Sequence, residues 1–284
     1  MKKLLLTLAL LAGPASIYGN EEANLKRLET TNKCQNCNLE GANLSGKKLG
    51  EANLSGAKLG EADLRLANLS GANLSGAKLG EADLGLANLK GANLSGAKLW
   101  KAIITWDQIL STENGKKKNL SGMTLAYLDF SGKDLSGFDF TKADLSEAVL
   151  LEAVLSGAKL EGADLEGAIL KYAELKGAKL SGAKLSGAIL TGAKLGEADL
   201  TRANLSGVIL TGAKLEGADL TDATFDSKTS FKDAKLEGTK ISKKALKADT
   251  TKDALDEKTL YDRLSLKQKN AYKNIDLRIM PTEK

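Results

Sequence analysis

The sequence predicts an all-β fold, a solenoid wound as a long four-sided rod, and three observations carry that prediction. An aliphatic residue recurs at every fifth position from Leu39 to Leu99, with Ile104 continuing the series. Alanine stands two residues before most of these leucines, as in Ala52, Ala57, Ala62 and Ala67, and glycine commonly follows two residues after. A longer period is superimposed: the block from Glu51 to Ser70 is followed by a near copy from Gly71 to Lys90, twenty residues on.

A period of five suits neither standard element. On an α-helix each step of five rotates the leucine by about 140°, so the leucines would spiral around the axis without forming a face. Glycines would also cost about 1 kcal/mol each in a helix interior. On a straight strand an odd period sends successive leucines to opposite faces. One bend per five residues removes both conflicts, because Ala and Leu, two apart, then point inward together. Twenty residues per coil make four sides, stacked at about 4.8 Å with facing walls about 10 Å apart.

The chain opens with Lys2 and Lys3, an apolar run from Leu4 to Ala12, and the small-residue stretch Gly13 to Ser16. This pattern predicts a signal peptide over 1–19, with cleavage near Gly19, and so an exported protein, periplasmic or secreted. The apolar run is shorter than the roughly 20 residues needed to cross a bilayer, so no transmembrane anchor is expected. Residues 20–36 are expected to cap the solenoid, a helix over Glu21 to Thr31 placing Leu25 and Leu28 over the first coil. The first solenoid segment is placed at 37–104.

Between Ile104 and Leu120 the register slips by one residue, which marks 105–118 as an interrupting bulge or projecting loop. The second segment, 119–246, resumes at Leu120 and slips once more between Phe225 and Phe231. Beyond it, residues 247–284 form a charged tail carrying Leu255, Tyr261, Leu264, Leu266, Tyr272, Ile275 and Ile279. Ser265 with Gln268 three residues on reads as a helix start, and one or two amphipathic helices are expected.

Tandem A(D/N)LxG units such as GANLS, EADLR, GADLE and GADLT make the chain resemble the pentapeptide-repeat family over about three quarters of its length. The resemblance implies a right-handed quadrilateral β-helix with the central Leu and the preceding Ala directed inward. It implies no single activity, since family members have diverse functions. In several members a C-terminal helix mediates dimerisation, and the tail here is similar in position.

Chemistry is sparse. The chain contains no histidine, which removes the commonest general base and the usual zinc ligand. Asp63, Asp83, Asp164, Asp199 and Asp219 each precede an inward Leu and so point outward from a convex rod, where no cleft forms a carboxylate pair. Cys34 and Cys37 are two of a kind in an otherwise cysteine-free chain. Cys34 falls five before Leu39, in a leucine slot, and Cys37 two before it, in an alanine slot; both sulfurs should face inward, as a structural disulfide or a buried thiol pair. No enzyme, cofactor or metal is expected.

The net charge of +5 becomes 5 − 2 = +3 without Lys2 and Lys3, because residues 1–19 hold no acid. So mixed a surface implies no nucleic-acid partner. The expected role is a non-catalytic structural or protein-interaction solenoid of the cell envelope, its flat walls docking an unknown protein partner. The alternative is DNA mimicry, as in gyrase-protecting family members, against which both the export signal and the basic balance count. Two places stand out for contact. Trp106 with Lys116, Lys117 and Lys118 lies in the interruption, though Trp100 and Trp106 packing over it is the plainer reading. Val149, Ile169, Ile189 and Ile209 break the polar outward series at twenty-residue intervals and so stack as a stripe, Val154 lying on the adjoining wall. The contact expected of the stripe is either a second molecule or the chain's own C-terminal helix folded back along the rod, and a homodimer could form through the tail or the stripe.

Overall fold

The computed structural model describes residues 15–241. The expected tail, together with residues 242–246, lies outside them, as does the expected leader up to residue 14. A helix, α1 (Ala15–Thr31), runs across the expected cleavage point and leads into the coil. Leu28 is buried in the same core as the first leucines, Leu25 packs partly against it, and Asn24 donates through Nδ2 to the Asn38 carbonyl at 3.0 Å.

From Lys33 the chain winds as parallel coils, each outward residue bridged to the one twenty positions on, such as Asn53 to Asn73 and Lys58 to Lys78. Pairing thus starts ahead of the boundary expected at residue 37, because Cys34 already fills a leucine slot. The Leu54 N–H donates to the Asn73 carbonyl and the Asn73 N–H to the Ala52 carbonyl, both at 2.8 Å. Each side spends three residues extended and two on a bend, so a wall is about 10 Å wide and most pairings are single bridges. Among the described residues only β1 (Asp219–Leu220) and β2 (Lys240–Ile241) pair over two residues.

The bends explain the rest of the repeat. At Leu54-Ser55-Gly56-Ala57 the Ala57 N–H donates back to Leu54 at 3.0 Å, and the third residue has φ 66°, the left-handed value that a type II turn demands and glycine meets without strain. Leu66 and Leu86 occupy the same turn position at φ 59° and 58°, a conformation unfavourable to a side chain with a Cβ. The outward Asn or Asp caps its own turn: Asn53 Oδ1 accepts the Ser55 N–H at 3.2 Å and Asp83 Oδ1 the Gly85 N–H at 2.8 Å. Leucines and alanines from Leu39 to Ala223 fill the interior, each buried leucine contributing about 1.5 to 3 kcal/mol.

The stacked outward residues define four walls. Wall A carries Asn53, Asn73 and Asn93, then Asn119 and Asp139; wall B carries Lys58, Lys78 and Lys98, then Thr124 and Asp144. Wall C carries Asp63, Asp83 and Ile103 and, higher up, Asp129 and Val149; wall D carries Asn68 and Asn88, then Asp134 and Val154. A faces C across the core and B faces D.

The interruption at 105–118 is not a projecting loop. It folds as two short helices, α2 (Trp106–Ser111) and α3 (Glu113–Lys116). Thr105 and Gln108 form a reciprocal capping box, and Gln108 Nε2 then donates to the carbonyls of Leu84 and Ala87 at 2.6 and 2.9 Å. Apolar Trp106 and Ile109 turn inward, which draws the segment onto the core. Lys98 is bridged to Thr124, 26 positions on, so this coil carries six extra residues. The later slip adds one residue: Ile209 pairs with Ser230 and Lys214 with Lys235.

Candidate docking wall

The bridges Val149 to Ile169, Ile169 to Ile189 and Ile189 to Ile209 stack the four predicted stripe residues in one file of wall C. Ile169 and Ile209 are exposed, while Val149 and Ile189 are half-buried between their neighbours. Because Lys98 pairs with Thr124, the residues five further along, Ile103 and Asp129, fall in line on this same wall. Ile103 is 59% exposed.

The two edges of wall C are apolar as well. Trp100 and Tyr127 sit on successive coils at the edge shared with wall B, with the Lys101 ammonium 5.3 and 5.0 Å from their ring centres. Leu66, 63% exposed, Leu86, 82% exposed, and Tyr172 occupy turn positions at the edge shared with wall D. Among the described residues, every large exposed apolar side chain except Leu110 therefore lies on wall C or its edges. The other three walls present Asn, Lys, Asp and Glu, tied between coils by exposed ion pairs such as Lys184 to Asp164 at 3.0 Å and Lys159 to Asp139 at 3.7 Å, each worth little.

Carboxylates rim this apolar face. Asp129, Glu147, Glu152 and Glu166 are all exposed on wall C or its edges. Hydrogen bonding from Ser131, side chain and then backbone, holds the Asp129 carboxyl below the usual range. Lower down, the Arg65 guanidinium beside Asp63, at 2.6 Å, draws that carboxyl down to about 2.

Sequence reasoning found four members of the face and missed the others. Ile103 is separated from Val149 by the 26-residue coil, so a search at twenty-residue steps does not connect them. Leu66, Leu86 and Tyr172 occupy turn slots and were hidden by attention to the residue before each leucine; their departure from glycine was the available signal.

The second group of predicted contacts is divided by the structure. Trp106 is buried, its ring 5.7 Å from that of Phe130 and 5.3 Å from that of Phe138, so it is a core residue and not a contact. The reason is volume: phenylalanines at Phe130, Phe138 and Phe140 fill the widened coil only with a further ring. Trp100, expected to pack beside it, is instead exposed on the edge of wall C. Lys116, Lys117 and Lys118 are exposed, on the wall A side of the rod, away from the apolar face; Lys117 pairs with Glu113 at 3.4 Å and Lys118 donates to the Ser136 carbonyl at 3.0 Å.

Cys34 and Cys37 are joined as a disulfide, both buried, with the Cys37 N–H donating back to the Cys34 carbonyl across the first turn. Among the described residues no three or more Cys, Asp or Glu side chains are grouped as a metal site would require, and no helix is long and apolar enough to span a membrane.

A family model for pentapeptide repeats matches residues 33–71, 67–105, 119–150, 148–187 and 188–226, in eight copies, and leaves out the interruption at α2 and α3. No curated protein matches the chain. Among solved structures, HetL from Nostoc sp. strain PCC 7120, a pentapeptide repeat protein involved in heterocyst differentiation regulation, is 31% identical over 76% of this chain and 94% of its own, with a TM-score of 0.31. Rfr23 from Cyanothece 51142 is 28% identical over 73% of this chain and 97% of its own, TM-score 0.33. QnrB1, a plasmid-mediated fluoroquinolone resistance protein, is 19% identical over 68% and 90%, TM-score 0.37. Period, coil and matched residues agree: this chain belongs to the pentapeptide-repeat family, whose members fold as right-handed quadrilateral β-helices.

Proposed function

We propose that this chain is a non-catalytic docking scaffold of the cell envelope, exported to the periplasm or beyond, which holds a partner protein against wall C. The observation that carries the reading is the segregation of exposed apolar side chains onto one wall of four. A contiguous apolar face of this kind marks a contact surface, and Trp and Tyr at its edge are the residue types that dominate binding energy. The basic, apolar and small-residue order of residues 1–19 supports export. The lack of histidine and the convex walls support a role without catalysis. A DNA-mimic role finds no such support, since walls A, B and D carry lysines as well as carboxylates.

A photoreactive residue placed in turn at Ile103, Ile169, Lys159 and Lys179 in producing cells tests this. Adducts are expected from Ile103 and Ile169 on wall C and not from Lys159 and Lys179 on wall A. Equal yields from both walls, or gyrase inhibition by the purified protein, would overturn it.

A further inference from the structure

We propose that the first occupant of wall C is the chain's own C-terminal segment, residues 260–280, laid along the rod from Ile209 toward Ile103. The proposal rests on wall C being the docking surface and names what covers it when no partner is bound.

Charge is the first argument. Residues 260–280 contain Arg263, Lys267, Lys269, Lys273 and Arg278 against Asp262 and Asp276, so 5 − 2 = +3. Wall C and its edges between Ile103 and Ile209 present Asp129, Glu147, Glu152 and Glu166 around the aliphatic file, against Lys101, Lys133 and Lys171. Four acids against three bases leave this face weakly acidic, the sign that attracts a segment of +3, and it is the face with the apolar strip.

Pattern and length are the second. Tyr261, Leu264, Tyr272, Ile275 and Ile279 recur at helical spacing, so the sequence predicts an amphipathic helix. Twenty-one helical residues extend about 30 Å. Ile209 to Ile103 is five coil steps, about 24 Å. Helix and strip therefore match in length as well as in character.

Position is the third. The last described residue, Ile241, follows Lys240 on wall A at the end of the rod where Ser230 closes wall C. Residues 242–259 can span about 60 Å extended, far more than the roughly 10 Å across the rod requires.

A second copy fits less well. Two walls C packed antiparallel about their midpoint would set Glu147 and Glu152, on the coil of Val149, against their own equivalents, the lysines of the face, Lys101, Lys133 and Lys171, lying on other coils.

The purified full chain is the object of the test. With a photoreactive residue at Ile189, a crosslink to a peptide within 260–280 is expected at monomer mass, and none from Lys179. Hydrogen exchange should show 260–280 protected, with protection falling at least about tenfold in Ile169→Lys/Ile189→Lys and in Arg263→Glu/Lys267→Glu/Lys273→Glu, while solenoid amides keep theirs. An adduct at dimer mass, an adduct elsewhere, or equal protection in parent and variants would overturn the inference. If the tail is not seated but wall C still captures a partner in cells, this inference alone fails. If the tail is seated and wall C captures nothing after the tail's basic residues are reversed, the docking reading fails.

Discussion

The rod is broken twice, and the two breaks differ in size but are closed by the same device. At the first, the coil gains six residues and its segment folds as α2 and α3; at the second, one extra residue enters at Asp226 to Thr229. In a regular coil the Leu74 N–H donates to the Asn93 carbonyl, and the Gly187 N–H to the Ser206 carbonyl. One coil on, at the breaks, those carbonyls are displaced. The Leu94 N–H donates instead to Asn114 Oδ1 at 2.8 Å, and the Gly207 N–H to Asp226 Oδ1 at 2.7 Å. A side-chain oxygen stands in for the missing backbone oxygen at both positions. A solenoid tolerates insertion wherever a local acceptor restores the ladder, and the insertion can then be large or small.

The two breaks also differ in what fills them. The first is wide enough for the Trp106, Phe130 and Phe138 rings; the second holds Phe225 against Phe231 at 5.5 Å, with Thr229 Oγ1 donating to the Leu205 carbonyl. Trp106→Ala should therefore produce the largest loss, about 3 to 5 kcal/mol, because no neighbour can collapse into the widened coil. Urea unfolding followed by the fluorescence of Trp100 measures it. A loss under about 1 kcal/mol would mean that the helices, not the rings, hold the first break together.

The shared device can be separated by pH. Asn114→Ala and Asp226→Ala should each cost about 1 to 3 kcal/mol by stranding an N–H, the first more because Leu94 is buried. Partial burial opposes ionisation of Asp226, but hydrogen bonds from the N–H of Gly207, from Thr229 and from the N–H of Lys228 outweigh it and hold the carboxyl below its ordinary 3.8. A lowered folded value means that this contribution is full above that ordinary pKa and is lost as pH falls through the folded one. Stability measured from pH 6 to pH 2 should fall more steeply in the parent than in Asp226→Asn, and with equal slope in parent and Asn114→Ala. Identical slopes in all three would show that Asp226 does not serve as an ionised acceptor.

The smallest effect is expected in the regular coils. Leu86→Gly exchanges a strained left-handed leucine, exposed and without packing to lose, for the residue the turn suits. Thermal unfolding should show stabilisation of up to about 1 kcal/mol, the relief of φ being partly offset by the freer unfolded chain. Destabilisation instead would mean that Leu86, one coil below Ile103, is itself covered.

Much of this was legible in residues. Leucine at five and copies at twenty leave a four-sided coil as the only arrangement that buries them, and Cys34 and Cys37 fell into leucine and alanine slots by counting alone. The second slip was located correctly between Phe225 and Phe231 because one residue displaces the series visibly. The Val149 to Ile209 file was read for the same reason, all four lying between the breaks.

What counting could not supply was the path of the chain through the first break. Leu120 stands sixteen positions after Ile104, and periodicity gives the remainder by five but not whether the residues between loop outward or pack inward. That depended on where Gln108 Nε2 and Asn114 Oδ1 found backbone partners a full coil away, a contact between residues 20 to 24 apart in sequence. From it followed the burial of Trp106, the alignment of Ile103 with Val149, and the placing of Lys116 to Lys118 opposite the apolar face. Sequence by itself determined the coil, because short-range periodicity and burial of leucine admit one solution; only the tertiary structure decided which exposed residues share a wall, because that depends on how many residues each coil spends.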